Sequence, residues 1–377
     1  MYKSVELFDG PEKEIEQKFC LDYSEMTAFQ RSFLCGLIKE KRPEKIVEIG
    51  VAAGATTALI LQCLQTLAIE AEVYSVDLML RWYRNEKYET GFIAKKILHN
   101  LGERIKHKFL MGSSIPFFLE QIGDQIDFLI LDTTHALPGE LLDFVICLPF
   151  LKEDCVVVMH DIVENHLNYN DSQIATKLLF DVVRAEKKYY MWEDELNIAG
   201  LSNIAAFRVG KETKDNVRDL FSAMTLNWQY ILRDIERNKY REVIREYYGE
   251  EYGQLFDRIE LLQMNTQLQK RISEHYGKDA EYLKIKWKRE KKIFLYGAGH
   301  FAKLYYEWAR LNHLNMEGIV ISDEQEKLLG EGIELPIYYL SEMPFEPEKC
   351  AVVIAVNKLY QGTILQNLKK AGYDNIL

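Results

Sequence analysis

The sequence predicts an α/β protein with a Rossmann-like first domain, a helical connecting region and a second, smaller Rossmann-like domain. Short apolar segments of strand length alternate with helix-length segments through the first 210 residues. The same alternation starts again near residue 291, and both series begin with a strand that runs into a glycine turn. Repeated strand–helix alternation is typical of a parallel sheet with helices on both faces.

The predicted domains are residues 1–210, 211–290 and 291–377. A chain of 377 residues suits two or three domains of about 100–200 residues each. Within residues 211–290 apolar residues become fewer, charged residues and tyrosine increase, and proline is absent. This composition predicts helices over 214–248 and 251–275, and a homo-oligomer formed through this region is an open alternative.

The individual elements follow from the spacing of apolar residues and from the turn residues between them. In the first domain we expect strands at 45–50, 72–77, 106–111, 126–132, 155–159 and 203–209. The helices between them are expected at 24–41, capped by Ser24, and at 55–67, 90–101, 115–122 and 138–150. In the last domain we expect strands at 293–296, 318–322 and 351–356, with helices that end near 311 and span 360–371.

The charge balance and the apolar runs limit the partners of the chain. The formal net charge is -11, and an acidic surface disfavours binding to polyanions, so we expect no nucleic-acid partner. No apolar run approaches about 18 residues, so we expect no membrane span. The N-terminal residues lack the apolar core of a signal peptide, which favours a cytoplasmic location.

The strongest motif is the segment Glu48-Ile-Gly50-Val-Ala-Ala-Gly54, which follows the first predicted strand. Gly50 permits a tight strand-to-helix turn, and Gly54 permits close approach of a ligand to the backbone. A carboxylate two residues before the first glycine repels a pyrophosphate but suits the cationic methionine part of S-adenosylmethionine (SAM). The motif therefore favours SAM over a dinucleotide.

Other polar residues end the second and third strands. Asp77 is placed where a carboxylate accepts the ribose hydroxyls of a cofactor, since neighbouring strand ends converge at the cofactor crevice. Gly112 and Ser113 form a small turn after the third strand that could hold adenine, or that is an ordinary polar turn.

The fourth and fifth strands end in Asp132-Thr-Thr-His135 and His160-Asp161. Asp132, His160 and Asp161 are candidate ligands of one divalent cation, Mg²⁺ or Mn²⁺. The alternative is that they cap helices and hydrogen-bond one another. Without a metal, His135 or His160 is the candidate general base. Asp132 is also counted among the cofactor-binding residues.

These motifs carry a family resemblance. The segments VEIGVAAGATT, VYSVDL, FLILDTTH and VVVMHDI resemble class I SAM-dependent methyltransferases, closest to the sugar O-methyltransferase and cephalosporin-hydroxylase-like branch. The resemblance implies a methionine-end role for Glu48, a ribose role for Asp77 and a substrate-facing His135. It also implies a metal at Asp132 and Asp161, although the histidine at position 160 departs from the acidic pair of that branch.

The last domain repeats the glycine turn in a weaker form. Gly297-Ala-Gly299 follows a strand, and Asp323 lies 24 residues after Gly299, as a ribose-binding acid would. The segment resembles nucleotide-fold modules attached to bacterial sugar-modifying enzymes, which implies a nucleotide or nucleotide-sugar ligand. A module used for packing or dimerisation is the alternative.

Together these features predict a SAM-dependent methyltransferase that modifies a hydroxyl of a small molecule, in particular a sugar or glycan precursor. Two alternatives stay open at this point. The chain is a non-catalytic SAM- or nucleotide-binding scaffold of a glycan assembly pathway, since a fold does not prove activity. Otherwise it is an NAD-dependent enzyme that uses the C-terminal domain.

Overall fold

The computed structural model describes residues 2–18, 24–98, 104–167, 172–193, 202–327 and 332–377. The chain divides into two compact units, Met1–Glu260 and Leu261–Leu377. The predicted helical region is thus shared between the two units. The boundaries predicted at residues 210 and 290 stay predictions about where the chain folds independently.

The first unit is built on an eight-stranded sheet. Its strands are β1 (Tyr2–Lys3), β2 (Lys45–Ile49), β3 (Ala71–Asp77), β4 (Ile105–Met111), β5 (Ile126–Leu131), β6 (Leu151–His160), β7 (Lys187–Tyr189) and β8 (Ile204–Arg208). Their order is β1-β7-β8-β6-β5-β2-β3-β4. All neighbours are parallel except β8, which is antiparallel to β6 and β7. This confirms the predicted Rossmann-like α/β fold.

The central strands are apolar because both faces of the sheet are covered. Every residue of β5 is buried, and so are the last six residues of β6. Continuous apolar runs of this kind are typical of parallel strands covered by helices on both sides. The edge strand β1 and its neighbour β7 were not predicted, since two or three residues are too few to show a period.

The helices of the first unit cover both faces of this sheet. Before residue 210 they are α1 (Gly10–Lys18), α2 (Ala28–Lys41), α3 (Ala55–Thr66), α4 (Phe92–Leu98), α5 (Leu119–Ile122), α6 (Gly139–Cys147), α7 (Glu164–Leu167) and α8 (Ala175–Val182). Residues 99–101 of the helix predicted at 90–101 lie outside the described residues.

The predicted cap of helix α2 is wrong. Thr27 caps the helix instead of Ser24, because Thr27 and Gln30 form a reciprocal capping box. The Thr27 Oγ1 accepts from the Gln30 N–H at 3.2 Å, and Gln30 Oε1 accepts from the Thr27 N–H at 3.1 Å. Each side chain thereby satisfies a backbone donor at the start of the helix.

The single helix predicted at 214–248 is also wrong. The structure has α9 (Lys211–Asp215), α10 (Val217–Ala223) and α11 (Asp234–Tyr248), with a loop over residues 224–233. Tertiary hydrogen bonds hold this loop, because the Gln229 N–H donates to the Leu137 carbonyl at 3.0 Å and the Leu137 N–H donates to Gln229 Oε1 at 2.7 Å. Phe221 and Ile244 on either side of the loop are fully buried.

The second unit contains a four-stranded parallel sheet. Its strands are β9 (Ile293–Tyr296), β10 (Gly318–Ile321), β11 (Ile337–Tyr339) and β12 (Ala351–Ile354), in the order β11-β10-β9-β12. Its helices are α13 (Ala280–Trp287), α14 (His300–Leu311) and α15 (Lys358–Lys370), and helix α12 (Glu250–Tyr276) spans the division between the units. The three predicted strands are present, and β11 is an addition.

Among the helices of the described residues, none has the length and apolar character that a membrane crossing requires.

Candidate active site

A cavity of about 710 Å³ opens at the carboxyl ends of strands β2, β3, β5 and β6. Gly50 follows β2, Asp77 ends β3, Asp132 follows β5 and Asp161 follows β6, and all four residues line the cavity. Ligands of open parallel sheets bind at this edge, and ligand pockets measure about 300–1,000 Å³. The predicted convergence of these residues at one edge is therefore what the structure shows.

Gly50 is required by the backbone of the first turn. Its φ is +95°, and a Cβ at this position would lie 1.7 Å from the carbonyl oxygen of Asp132. The Gly50 N–H donates to the Val76 carbonyl at 2.9 Å, while the Asp132 N–H donates to the Ile49 carbonyl at 2.9 Å. The turn thus continues the pairing of β2 with both neighbouring strands.

Gly54 has a different role from the predicted one. Its φ is +88°, and a Cβ there would lie 2.7 Å from the Cα of Gly91. Gly54 does not belong to the cavity lining, although Ala53 and Ala55 beside it do. The residue is therefore needed for close approach between two backbone segments of the protein, and not for direct approach of a ligand.

Asp77 fastens the glycine turn to strand β3. Its Oδ2 accepts from the N–H groups of Val51 and Ala52 at 2.9 and 3.0 Å, and its Oδ1 accepts from the Met79 N–H at 2.7 Å. A carboxylate has about four lone-pair sites, and three of them are used here. Asp77 lines the cavity, and its carboxylate can accept one further hydrogen bond from a hydroxyl. The prediction was that it accepts from two ribose hydroxyls.

Glu48 lies beneath the turn and does not line the cavity. It is fully buried, and its Oε2 accepts from the hydroxyls of Thr57 at 2.6 Å and Ser75 at 2.7 Å, while Oε1 has no hydrogen-bond partner. Burial raises the pKa of Glu48 to about 8, although the two hydroxyls oppose this shift. Burial thus favours the neutral form of Glu48 near pH 7, and its predicted role at the methionine end stays a prediction.

Asp132, His135 and Asp161 form a cluster at the other end of the cavity. One side-chain ligand atom from each lies within 4.8 Å of the others. His135 Nε2 is 3.0 Å from Asp161 Oδ2 and 3.9 Å from Asp132 Oδ1. Asp161 is further held by the Asn203 Nδ2, which donates to its Oδ1 at 2.6 Å. Two carboxylates and an imidazole are a chemically suitable set for Mg²⁺ or Mn²⁺.

The backbone of this cluster is strained. His135 has a φ of +56° and Asp161 a φ of +59°, which places both in the left-handed region that residues other than glycine adopt infrequently. The His135 carbonyl accepts from the Ala175 N–H at 2.8 Å, and the Asp161 carbonyl accepts from the Thr176 hydroxyl at 2.7 Å. Strain that the surrounding structure maintains is concentrated at functional sites.

The carboxylates around His135 favour its charged form, and its predicted role as a base stays a prediction. Burial by itself lowers the pKa of His135, but the carboxylates of Asp161 and Glu140 outweigh burial and raise the pKa to about 12. The Glu140 Oε1 lies 3.2 Å from His135 Nδ1. An imidazolium has no lone pair, so His135 would have to lose its proton before it could accept one from a hydroxyl or bind a metal ion.

His160 lies behind the cluster instead of within it. Its side chain is 2% exposed, and its Nε2 hydrogen-bonds Gln30 Oε1 at 2.9 Å. Its Nδ1 lies 3.4 Å from Asp132 Oδ1 and 3.2 Å from Asp161 Oδ2. Burial opposes the charge, but the two carboxylates raise the pKa of His160 well above its usual value. His135 therefore takes the place predicted for His160 among the candidate ligands, and His160 braces the carboxylates.

The predicted adenine turn is present after β4. Gly112 has a φ of +90° and packs beside the side chain of Leu80, outside the cavity lining. Ser113 does line the cavity, together with Ser114 and Ile115. The serine of the predicted pair therefore faces the space available to a ligand, and the glycine shapes the turn.

One wall of the cavity was missed by the sequence analysis. Tyr230 and Leu232 from the loop after α10, and Glu236 and Tyr240 from α11, line the same cavity as Asp77. Asp143 of α6 faces this wall and accepts from the Tyr240 hydroxyl at 2.9 Å. The sequence signal was the abundance of tyrosine after residue 210, but only the fold brings these side chains to the strand ends.

The second glycine turn holds its predicted residues in other contacts. A Cβ at Gly297 would lie 2.6 Å from the Ala355 carbonyl oxygen, whereas a Cβ at Gly299 would meet nothing within 4 Å. Asp323 is exposed, and its Oδ1 accepts from the Ser341 N–H at 3.1 Å and from the Ser341 hydroxyl at 2.8 Å. Asp323 thus joins two loops of the second unit, and its nucleotide role stays a prediction.

Comparison with known proteins agrees with this site. Residues 47–162 match the family described as a methyltransferase domain, and this segment contains Gly50, Asp77, Asp132 and Asp161. The prediction of a class I SAM-dependent methyltransferase domain in the first unit is therefore confirmed. The match covers less than half of the chain and ends before the Tyr230–Tyr240 wall. No curated protein matches the sequence.

The solved structures of methyltransferases that resemble this chain share little sequence identity with it. An O-methyltransferase from Bacillus cereus in complex with SAH is 17% identical, covers 53% of this chain and 91% of that one, and has a TM-score of 0.36. The O-methyltransferase TomG from Streptomyces achromogenes, involved in tomaymycin synthesis and in complex with SAM, is 15% identical over 55% and 92%, with a TM-score of 0.38. The SAH-bound methyltransferase PaMTH1 from Podospora anserina is 12% identical over 55% and 91%, also with a TM-score of 0.38. The assignment rests on the family match and the site geometry, not on these likenesses.

Proposed function

We propose that this protein transfers a methyl group from SAM to a hydroxyl of a small molecule, and that the acceptor is a sugar or glycan precursor. The observation that carries the proposal is a single cavity. This cavity brings a carboxylate suited to a ribose, Asp77, together with a metal-type cluster at Asp132, His135 and Asp161. The sugar class of the acceptor is supported by the resemblance of the sequence motifs.

SAM fits the half of the cavity between β2, β3 and β4. Asp77 holds the turn after β2 and keeps one acceptor site for a ribose hydroxyl. Ser113 lies on the side where adenine is expected. Glu48 shapes this half from below, since its hydrogen bonds with Thr57 and Ser75 connect α3 and β3 to β2. A dinucleotide is disfavoured because Asp77 already accepts from the Val51 and Ala52 N–H groups of the glycine turn, where a pyrophosphate would bind.

The acceptor hydroxyl is proposed to bind beside Asp132 and Asp161. A divalent ion held by these carboxylates and His135 would lower the pKa of a hydroxyl at this position. His160 and Asn203 contact the Asp161 carboxylate and fix its orientation. With the acceptor held in line with the methyl group, positioning supplies much of the rate.

For the second unit, the proposed ligand is a nucleotide or nucleotide-sugar at the turn of Gly297 and Gly299. The support is a strand–glycine–helix arrangement that begins α14, together with the exposed position of Asp323 after β10. A homo-oligomer formed through the helical residues 211–290 also remains a proposal.

The first test separates the cofactor from the metal. We expect Asp161→Asn to retain SAM affinity within about threefold, since the cofactor rests on Gly50 and Asp77, but to lose at least about tenfold in Mn²⁺ affinity, because one charged ligand is removed. Calorimetry with SAM and titration of Mn²⁺ followed by electron paramagnetic resonance measure the two affinities. Asp215→Asn, which changes the same charge outside the cavity lining, is the control. Equal Mn²⁺ affinity in the wild type and Asp161→Asn would remove the metal from the proposal.

A further inference from the structure

The acceptor end of the cavity has a charge pattern of its own. Its wall is formed by Tyr230, Leu232, Glu236 and Tyr240, and Asp143 faces that wall from α6. Tyr230, Leu232, Glu236 and Tyr240 come after the segment that matches the family, whereas Asp143 lies on helix α6 within that segment. None of them is a proposed SAM-binding residue or metal ligand. Two tyrosine rings and two carboxylates therefore line the space left for the acceptor.

Asp143 is a buried carboxylate with no cationic neighbour in this wall. It is 8% exposed, and its hydrogen bonds come from neutral hydroxyls, Tyr240 at 2.9 Å and Thr133 at 3.5 Å. Burial raises the pKa of Asp143 to about 7, and the carboxylates of Glu140 and Glu236 add to this shift while the two hydroxyls oppose it. A positive charge placed in the cavity would therefore favour the ionised form of Asp143.

Among the described residues that line the cavity, Arg84 and His135 can carry a positive charge, and both are paired with carboxylates. His135 lies 3.0 Å from Asp161 and 3.2 Å from Glu140. Arg84 at the rim lies 2.8 Å from Glu25, which lines the cavity beside it. Arg233 pairs with Glu236 at 2.6 Å, but its side chain is 66% exposed and does not line the cavity. Residues 19–23, 168–171 and 194–201 are outside the part of the chain that the structure describes, and their sequences contain neither lysine nor arginine. A metal ion at the cluster would have its two charges matched by Asp132 and Asp161.

An anionic acceptor would be repelled in such a cavity. Like charges brought close together repel more strongly beside a protein than in bulk water, because the effective dielectric constant is lower there. A phosphate or carboxylate on the acceptor would meet Asp143 and Glu236 without a free cation. An ammonium group would meet the same carboxylates favourably, and it would also be attracted to the faces of Tyr230 and Tyr240.

We propose that the acceptor is a polyhydroxylated molecule that carries an ammonium group, such as an amino sugar, and binds with this group between Asp143, Glu236 and the two tyrosines. Neutral sugars rank second, and sugars linked to phosphate, nucleotide or carboxylate are rejected. This inference rests on the proposed function, because it takes the cavity as the place where the acceptor binds.

The test is calorimetry on the full chain loaded with SAH, in EDTA and at low ionic strength. The probes are methyl glucosaminide, methyl glucoside, methyl glucuronide and UDP-glucose. We expect methyl glucosaminide to bind at least about tenfold more tightly than methyl glucuronide. Asp143→Asn keeps an acceptor for Tyr240 and should reduce the difference at least about threefold. Glu236→Gln should act in the same direction.

Glu251→Gln, an exposed acid outside the cavity lining, is the control for overall charge and should leave the difference unchanged. The inference is overturned if methyl glucuronide or UDP-glucose binds as tightly as methyl glucosaminide, if none of the four probes binds, or if the control variant changes the ratio as much as Asp143→Asn. Failure of SAH to bind in the same titrations would instead refute the proposed function.

Discussion

The two glycine turns of this protein share one backbone pattern and differ in their side chains. The Gly50 N–H donates to Val76 of the neighbouring strand, and the Gly297 N–H donates to Val320 in the equivalent place, at 2.9 and 2.8 Å. A Cβ at Gly50 would strike the carbonyl of Asp132, and a Cβ at Gly297 would strike that of Ala355. Both turns therefore pack against the residue that follows another strand of their own sheet.

The surrounding residues separate the two turns. The residue two positions before the glycine is the buried acid Glu48 in the first turn and the buried Leu295 in the second. The acid at the end of the next strand, Asp77, binds the first turn, whereas Asp323 binds Ser341 instead. The two turns thus share a backbone pattern, and the polar side chains around them differ.

The largest effect tests the shared backbone. Gly50→Ala and Gly297→Ala should each destabilise their own unit by on the order of 3 kcal/mol or more, because both place a Cβ against a carbonyl oxygen at positive φ. Gly299→Ala meets nothing within 4 Å and should cost within about 1 kcal/mol. Urea unfolding followed by circular dichroism measures the changes. Only Gly50→Ala should also abolish SAM binding, and an equal loss of SAM binding in Gly297→Ala would break the comparison.

A smaller effect tests the acids. Asp77→Asn should weaken SAM binding by about 1.5–3 kcal/mol, roughly 10- to 100-fold, because it removes a charged acceptor that both holds the turn and faces the cavity. Asp323→Asn should leave SAM affinity unchanged. Calorimetry with SAM, and with NAD and ATP as probes for the second unit, distinguishes the two. Unchanged SAM affinity in folded Asp77→Asn would refute the ribose position.

The smallest effect concerns the buried acid before the first turn. The pKa of Glu48 is raised from its ordinary value of 4.5 to about 8, so between these values the folded state keeps a proton that the unfolded state has lost. Glu48 therefore makes stability fall as the pH rises through this range, by about 1.4 kcal/mol per pH unit. Glu48→Gln mimics the neutral acid and should lack this contribution. Unfolding of the two proteins at pH 6 and pH 7 measures the difference, and parallel pH dependence would show that Glu48 is ionised in the fold.

The sequence predicted the strands of the two sheets better than it predicted the helices and loops around them. β9 was predicted at its observed bounds, and the central strands were correct to within a few residues, because buried parallel strands are continuous apolar runs. The helix predicted across residues 224–233 was wrong, since the hydrogen bonds of Gln229 with Leu137 come from a partner 92 residues away. A local period carries no information about such a contact.

The same distinction applies to the site. The sequence by itself determined that Gly50, Asp77, Asp132 and Asp161 meet at one edge, because parallel strands place their carboxyl ends together. Only the tertiary structure decided the orientation of each side chain. It buried Glu48 beneath the turn, moved His160 behind the carboxylates with Gln30, and placed Tyr230 and Tyr240 in the lining of the cavity. The reason is physical: strand order follows from hydrophobic period and chain connection, whereas burial and hydrogen bonding of one side chain depend on packing between segments distant in sequence.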